Sequence, residues 1–307
     1  MPENKSSLII LVTGANRGIG FNIIQSTARR LPDATFILGC RSSKRGHEAV
    51  ASLQKLGITA PLGVLELDVT DDNSICLAAS LLRKRFGRLD VLINAASLTL
   101  PSTPSSTASF LTSTFSPHKK TPSVHTSTKD LSHLRTTYTQ TLSTNLTSVA
   151  CVSQAFLPLL ASSVLPLPKL INISSPFSDT HAHPGSGKGG EVGDGSDSET
   201  EIETQDAHRP SLSYNISTVG LEYFSREFRE LKWAECEVYV VRPPPSSSSS
   251  SHTLPSHPQS STRPLDRHLA HLEGITRLID ARDGRFRSAL GWELGPAAGG
   301  IREVVGM

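Results

Sequence analysis

Apolar segments of strand length alternate with segments of helical periodicity along most of the chain. The predicted strands are residues 8–12, 35–40, 63–67, 91–94, 169–174 and 237–242, and the predicted helices are residues 19–30, 44–56, 72–86, 142–160 and 213–233. A helix near 265–280 and a short strand near 285–289 complete the series. Strands alternating with helices form right-handed βαβ units, so we predict an α/β fold: a doubly wound parallel sheet of roughly seven strands with helices on both faces.

Three segments interrupt this alternation, at about residues 99–130, 178–209 and 243–264. The first is rich in Ser and Thr, the second in Gly, His and acidic residues, and the third contains a serine run at 246–251. Such compositions do not bury a core, so we interpret all three as insertions in one domain spanning residues 1–307. They follow the carboxyl ends of strands, where open α/β sheets bind ligands. A lid over the site and insertions without a role both fit this composition.

Composition excludes several classes of function. The net charge is +2 and the basic residues are spread along the chain, which argues against a nucleic-acid partner. The first apolar run is too short for a signal peptide or a membrane span, so we expect a cytoplasmic protein without a membrane partner. The cysteines form no CxxC pair and the histidines, such as His181 and His183, complete no ligand set, so no metal site is predicted.

A glycine-rich turn, TGANRGIG at 13–20, follows the first strand and opens the first helix. Glycines allow a tight turn and close approach of the backbone to a pyrophosphate, while free amides and the helix dipole attract its charge. A glycine-rich turn that serves only packing is the alternative. From this segment we assign six cofactor-binding residues: Gly14, Asn16, Arg17, Gly18, Ile19 and Gly20.

The residues after the second strand predict which cofactor is preferred. An NAD site would place Asp or Glu there for the ribose 2′-hydroxyl, whereas this chain has Arg41, followed by Lys44 and Arg45. Arg17 adds a further cation from the glycine turn. Because guanidinium groups pair well with phosphate, we predict NADP in preference to NAD. A basic first turn of an exposed helix is the plainer interpretation.

Further short motifs occur in a fixed order: Leu67-Asp68-Val69, LDVLINAA at 89–96, Ser143-Thr144-Asn145, INISS at 171–175, and Tyr214. In this combination the chain resembles the short-chain dehydrogenase/reductase family, and the glycine turn and CRSSKRG at 40–46 resemble those of carbonyl reductases. The likeness covers most of residues 8–242 apart from the insertions. It implies a Rossmann-type domain and an oxidoreductase that moves hydride between NADP(H) and a small carbonyl or alcohol substrate.

The resemblance also implies roles for single residues. Asp68 and Val69 would border the adenine, and Asn94 and Ala95 would lie beside the cofactor at the end of the fourth strand. The family pattern Asn-Asn-Ala-Gly is here Asn94-Ala95-Ala96-Ser97. The substrate-loop pattern departs as well, because the family's Pro-Gly turn after the sixth strand is RPPP at 242–245.

Three residues match the family's catalytic positions. Tyr214 would give a proton to the substrate oxygen, Ser175 would hold the carbonyl by a hydrogen bond, and Asn145 would support the site from the fourth helix. Each also has a plain structural role open to it: Tyr214 as a half-buried residue of an amphipathic helix, Ser175 as the end of a strand, and Asn145 as a buried bridge.

The family's lysine, four residues after the tyrosine, is here Thr218. A free tyrosine has a pKa of about 10, and a lysine on the same helix face stabilises the phenolate and grips the nicotinamide ribose. A cation about 4 Å away is worth roughly 4 kcal/mol at an effective dielectric constant near 20, and a well-matched acid contributes ~10²–10⁴ in rate. Thr218 keeps only a hydroxyl for the ribose.

Two hypotheses follow from this substitution. The first is an NADP(H)-dependent carbonyl reductase weakened by the loss of the lysine. The second is an inactive NADP-binding pseudoenzyme that acts as a sensor or interaction module. A reading frame degraded near the low-complexity segments is a third explanation of the irregular loops. The sequence leaves both a monomer and a homodimer open.

Overall fold

The computed structural model describes residues 7–100, 128–175, 211–230, 236–242, 274–276, 278–279 and 302–305. Within these ranges the strands form one sheet of seven strands. They are β1 (Ile9–Thr13), β2 (Thr35–Cys40), β3 (Leu62–Glu66), β4 (Val91–Asn94), β5 (Lys169–Ile173), β6 (Glu237–Arg242) and β7 (Arg302–Val305). All neighbours pair in parallel, in the order β3-β2-β1-β4-β5-β6-β7.

Six helices connect these strands in the described residues, and their bounds are α1 (Gly18–Arg30), α2 (Ser43–Lys55), α3 (Asp72–Phe86), α4 (Thr128–Leu142), α5 (Ser148–Leu160) and α6 (Leu212–Glu230). A π-helical turn, Ser143–Thr147, joins α4 to α5. A short helical stretch also includes residues 274–276 and 278–279. No helix in the described ranges has the length and apolarity needed to cross a membrane.

Alternate residues of the strands face two separate cores, because successive side chains of a strand point to opposite faces of the sheet. Ile10 and Val12 pack with apolar residues of α1 and α2 and with Ile275, Leu278 and Ile279. Ile9 and Leu11 pack with α3, α5 and Phe228 of α6. The predicted doubly wound α/β fold, with helices on both faces of a parallel sheet, is therefore confirmed.

One prediction about secondary structure was wrong, and a second lies outside the described residues. The helix expected at 142–160 begins at Thr128, so residues 128–130 do not belong to the first insertion as predicted. The seventh strand is Arg302–Val305, whereas the strand expected near 285–289 lies outside the described residues. Most of the three predicted insertions also lies outside them.

The order of the strands places one crevice at the centre of the sheet. The chain runs outward from β1 to β3 and then returns to the other side of β1 with β4. The connections leaving β1 and β4 therefore separate at their carboxyl ends, and such a switch point is where doubly wound sheets bind ligands. The predicted site residues that follow β1, β2, β3, β4 and β5 share this edge.

Candidate active site

The turn between β1 and α1 needs glycine at two positions. Gly14 has φ +65° and Gly18 has φ +60°, a conformation that residues with a Cβ rarely adopt. A Cβ on Gly14 would also lie 2.7 Å from Cα of Ala96, in the connection after β4. The backbone of the turn thus lies directly against the neighbouring connection, at the switch point of the sheet.

The amino end of α1 differs from those of the next two helices. Its N-cap residue, Arg17, makes no side-chain hydrogen bond to the first turn, and that turn contains no acidic residue. In contrast, Ser42 caps α2, and Asp71 accepts bonds from two amides at the start of α3. The first turn of α1 therefore lacks a side-chain acceptor of the kind that α2 and α3 have, which suits it to an anionic ligand.

One arginine lies within this turn, and a second follows β2. Arg17 and Arg41 are both exposed, and no ion pair of either is found within the described residues. The amide of Ala15 donates to the carbonyl of Gly39 (3.2 Å), which joins the turn to the end of β2 just before Arg41. The glycine turn that contains Arg17 is thus hydrogen-bonded to the strand end that precedes Arg41.

Cys40, at the end of β2, lies under the same turn. Burial raises the pKa of its thiol to about 11, although hydrogen bonds from the amides of Ala15 and Asn16 oppose the shift. The thiol therefore stays neutral near pH 7, and no negative charge at this position repels a phosphate. An NAD-type carboxylate is absent from the end of β2.

The connection after β3 holds the two residues predicted to border the adenine. Oδ1 of Asp68 accepts hydrogen bonds from the amide (2.9 Å) and hydroxyl (2.7 Å) of Thr70, and the amide of Leu67 donates to Cys40 (2.9 Å). The side chain of Val69 is buried in the core. Any contact of Val69 with a nucleotide would therefore be made by its backbone.

The connection after β4 is held by Thr13. The Thr13 hydroxyl oxygen accepts hydrogen bonds from the amides of Ala95 and Ala96, each at 3.1 Å. The turn is thus fixed next to the glycine turn although its sequence departs from the family pattern. Thr13 stands directly before Gly14 in the sequence, and this position is the sequence signal for its role.

Asn94, at the end of β4, belongs to a buried polar network below the crevice. Its side-chain amide donates to Asn172 (2.9 Å) and Ser153 (3.2 Å), and the amide of Asn172 donates to Ser225 (2.9 Å). The network joins β4 and β5 to helices α5 and α6. Its members are hard to recognise from sequence, because isolated serines and asparagines carry no periodic signal.

Asn145 lies in the π-helical turn and has partners on two other elements. It accepts a hydrogen bond from the amide of Leu98 (2.7 Å) and donates to the carbonyl of Leu98 (3.0 Å) and to the hydroxyl of Ser217 (3.0 Å). π-Helical turns occur frequently at functional sites. Through its hydrogen bonds to Leu98 and Ser217, Asn145 connects the β4 loop with α6, the helix that carries Tyr214.

A cleft at this edge brings together four of the predicted site residues: Asn94, Asn145, Tyr214 and Thr218. Its other lining residues are Ala96, Ser97, Val149, Ile173, Ser217 and Leu221. Tyr214 is half-buried. Ser175 follows β5 and is buried, but it is not among the residues that line the cleft.

The cleft contains no basic residue among its described lining residues. Thr218, which the resemblance predicts to stand where the family has lysine, is buried, and its hydroxyl donates to the carbonyl of Asn215 (2.8 Å). The described residues also contain no cluster of three His, Cys, Asp or Glu side chains that would hold a metal ion. The described lining of the cleft thus offers hydroxyl and amide groups to a ligand and no cation.

A model of the short chain dehydrogenase family matches residues 8–183, more than half of the chain. The chain belongs to the short-chain dehydrogenase family. The match includes the glycine turn, the connections after β3 and β4, and Asn145. Tyr214 and Thr218 lie beyond it, so their predicted roles depend on the sequence motif alone, and the structure shows that both line the cleft.

Curated short-chain dehydrogenases share part of the sequence. A short-chain dehydrogenase/reductase of Aspergillus fumigatus is 38% identical over 175 residues, which cover 57% of each chain. Carbonyl reductase (NADPH) 1 of Bos taurus is 42% identical over 95 residues, which cover 31% of this chain and 33% of that protein. The chain thus spans little more than half the length of the first of these relatives.

Solved structures of short-chain dehydrogenases share the fold. One from Mycobacterium smegmatis superposes with a TM-score of 0.58 at 17% identity and covers 99% of this chain and 94% of its own. L-Sorbose reductase of Gluconobacter frateurii, in complex with NADPH and L-sorbose, superposes with a TM-score of 0.52 at 16% identity and covers 79% and 71%. At these identities the likeness concerns the fold alone.

Proposed function

We propose that this short-chain dehydrogenase is an NADP(H)-dependent oxidoreductase that interconverts a small carbonyl compound and its alcohol. The observation that carries the proposal is the shared edge of the sheet: the glycine turn and the cleft with Tyr214 meet across Ala96. A dinucleotide bound at the turn would therefore extend toward the tyrosine. The described elements would act as one dinucleotide-binding domain.

Four features support NADP as the cofactor. The first turn of α1 lacks a side-chain cap, Arg17 and Arg41 lack described acidic partners, the Cys40 thiol is neutral, and the end of β2 has no carboxylate. Charge-assisted bonds to phosphate are roughly twice as strong as neutral hydrogen bonds. The names of relatives and neighbours that include NADPH agree with this preference.

In the proposed reaction the nicotinamide, when bound, supplies or accepts the hydride. The phenol of Tyr214 gives a proton to the carbonyl oxygen, so that hydride and proton together convert the carbonyl into the alcohol. Ser175 donates a hydrogen bond to the same oxygen, which requires its side chain to reach the cleft when substrate binds. Asn145 holds the β4 loop and α6 at a fixed separation through Leu98 and Ser217.

Thr218 determines how fast we expect the proposed reaction to be. Without a cation in the described lining of the cleft, the phenolate formed after proton transfer has no fixed positive partner. We therefore expect slow turnover compared with relatives that have lysine at this position. The inactive pseudoenzyme remains the outcome if turnover is absent, although membership of a dehydrogenase family favours the enzyme.

The direct test is oxidation of NADPH by purified protein with a panel of aldehydes, ketones and quinones. We expect slow turnover that falls by about 10²–10⁴ in Tyr214→Phe, since the proton donor is removed. Tyr223→Phe is the matched control, because Tyr223 is on the same helix and is exposed. Tight NADPH binding without turnover on any substrate, in wild type and in Thr218→Lys, would contradict the proposed activity.

A further inference from the structure

A carboxylate and a guanidinium near the cleft join α6 to the sheet. Glu222 lies on α6, eight residues after Tyr214, and Arg242 is the last residue of β6. Arg242 donates from Nε to Oε1 of Glu222 (2.8 Å) and from Nη2 to Oε2 (2.6 Å). Both side chains are largely buried, with 10% of Arg242 and 16% of Glu222 exposed. The pair is thus bidentate and mostly removed from water.

The same carboxylate also holds the end of β5. The hydroxyl of Ser174 donates to Oε1 of Glu222 (2.9 Å), while the amide of Ser174 donates to the carbonyl of Val241 in β6 (2.8 Å). Ser174 directly precedes Ser175, the proposed carbonyl-binding residue. Glu222 therefore connects α6 with the ends of two neighbouring strands.

The position of Glu222 on α6 relates its contacts with Arg242 and Ser174 to Tyr214. Tyr214, Thr218 and Glu222 are spaced by four residues, so they follow one another along one side of α6. The flanking contacts of the helix, Asn145 with Ser217 and Asn172 with Ser225, are neutral hydrogen bonds. A bidentate charged pair fixes both distance and orientation more strongly than such bonds.

We infer that Glu222 is a positioning residue: through Arg242 and Ser174 it holds the helix of Tyr214 against the strand end that carries Ser175. This inference rests on the proposed oxidoreductase function. Misplacement of reacting groups by about 1 Å can cost on the order of 10² in rate, so a small shift of α6 would be visible in turnover.

The test uses variants of the 307-residue chain. Glu222→Gln and Arg242→Gln each remove one charge, the exchanged pair Glu222→Arg with Arg242→Glu restores both, and Glu227→Gln is the control because Glu227 is exposed on the same helix. We expect each single variant to lower kcat about tenfold or more, with the KM for NADPH changed less than about twofold. The exchanged pair should recover part of kcat.

Arg242→Lys serves as a milder variant where Arg242→Gln does not fold. It keeps the positive charge and loses the second hydrogen bond, so its kcat should lie between those of wild type and Glu222→Gln. Single variants that fold, keep the wild-type kcat and lose only thermal stability would overturn the positioning role. So would equal losses in Glu222→Gln and Glu227→Gln.

Amide hydrogen exchange separates this inference from the proposed function. Glu222→Gln should speed exchange at residues 214–218 and 173–175 relative to Glu227→Gln, whether or not the wild type turns over a carbonyl. If the wild type is inactive but binds NADPH, the proposed reaction fails and exchange alone decides whether Glu222 holds the helix. Equal exchange in the two variants would overturn the anchoring itself.

Discussion

The glycine turn and the cleft share one edge of the sheet, but they depend on different parts of the chain. The turn is made by backbone: positive φ values at Gly14 and Gly18 and an uncapped first turn of α1. The cleft depends on side chains, and one of them is Thr218, which the resemblance predicts to stand where the family has lysine. On the proposed function, the nucleotide phosphates would bind at the turn and proton transfer would occur at the cleft, so different residues would control the two steps.

The largest expected effect is a loss of NADPH binding at the glycine turn. Gly14→Ala should weaken NADPH binding by about 100-fold or more, because its Cβ would meet Ala96 and its φ disfavours a side chain. Fluorescence titration with NADPH measures the effect. Gly57→Ala is the control: Gly57 also has positive φ (+81°), but a Cβ there would meet nothing within 4 Å. Equal affinities of the two variants would show that the turn does not bind the cofactor.

A smaller effect tests the choice between the two cofactors. Arg41→Ala should weaken NADPH binding about tenfold to a hundredfold and leave NADH binding nearly unchanged, since a hydrogen bond to a charged group contributes about 1.5–3 kcal/mol. Paired titrations with both nucleotides measure the ratio. Lys55→Ala, at the far end of α2, should change neither. A parallel loss for NADPH and NADH would argue against a contact with the 2′-phosphate.

The third prediction tests the proposed proton transfer at the cleft by adding a positive charge to its lining. Thr218→Lys should raise kcat about tenfold, because an ammonium group on the side of α6 that carries Tyr214 stabilises the phenolate. Steady-state kinetics on the best carbonyl substrate measures the gain. Thr218→Met adds length at the same buried position without charge, so it should bring no gain. A similar gain with methionine would mean that packing, and not charge, limits the rate.

The smallest effect concerns the buried hydrogen-bond network of Asn94, which lies below the crevice. Ser153→Ala removes one acceptor of the Asn94 amide and should lower the free energy of unfolding by about 1 kcal/mol, while the bond from Asn94 to Asn172 remains. Urea denaturation measures this change. Ser80→Ala, on the exposed side of α3, should have almost no effect on the free energy of unfolding. A larger loss in the control than in Ser153→Ala would contradict the network's contribution.

Much of the fold was predictable because periodicity and burial agree in most strands of the sheet and in helix α3. The strands β2, β4 and β6 and the helix α3 have the predicted bounds, and the alternation of Ile9, Ile10, Leu11 and Val12 divides between two cores. Each of these elements buries a regular apolar face, so its pattern alone determines its type.

Two elements were missed because local sequence does not determine them. Helix α4 is rich in threonine, and Leu131 and Leu134 are exposed, so no clear apolar stripe marks it. The strand β7 consists of four residues far from β6 in sequence, and its pairing with β6 is a long-range contact. In the site, the glycines and Tyr214 were recognisable from motifs, whereas the hydrogen bonds of Thr13, Ser217 and Glu222 depend on tertiary structure.

The central claim is that the turn at residues 13–20, with Arg17 and Arg41, binds a phosphorylated adenine dinucleotide. Isothermal titration calorimetry of folded protein with NADPH and with NADH tests it most directly. We predict one site per chain with at least about tenfold preference for NADPH, the difference expected for a charge-assisted contact to the 2′-phosphate. No heat with either nucleotide would contradict the account.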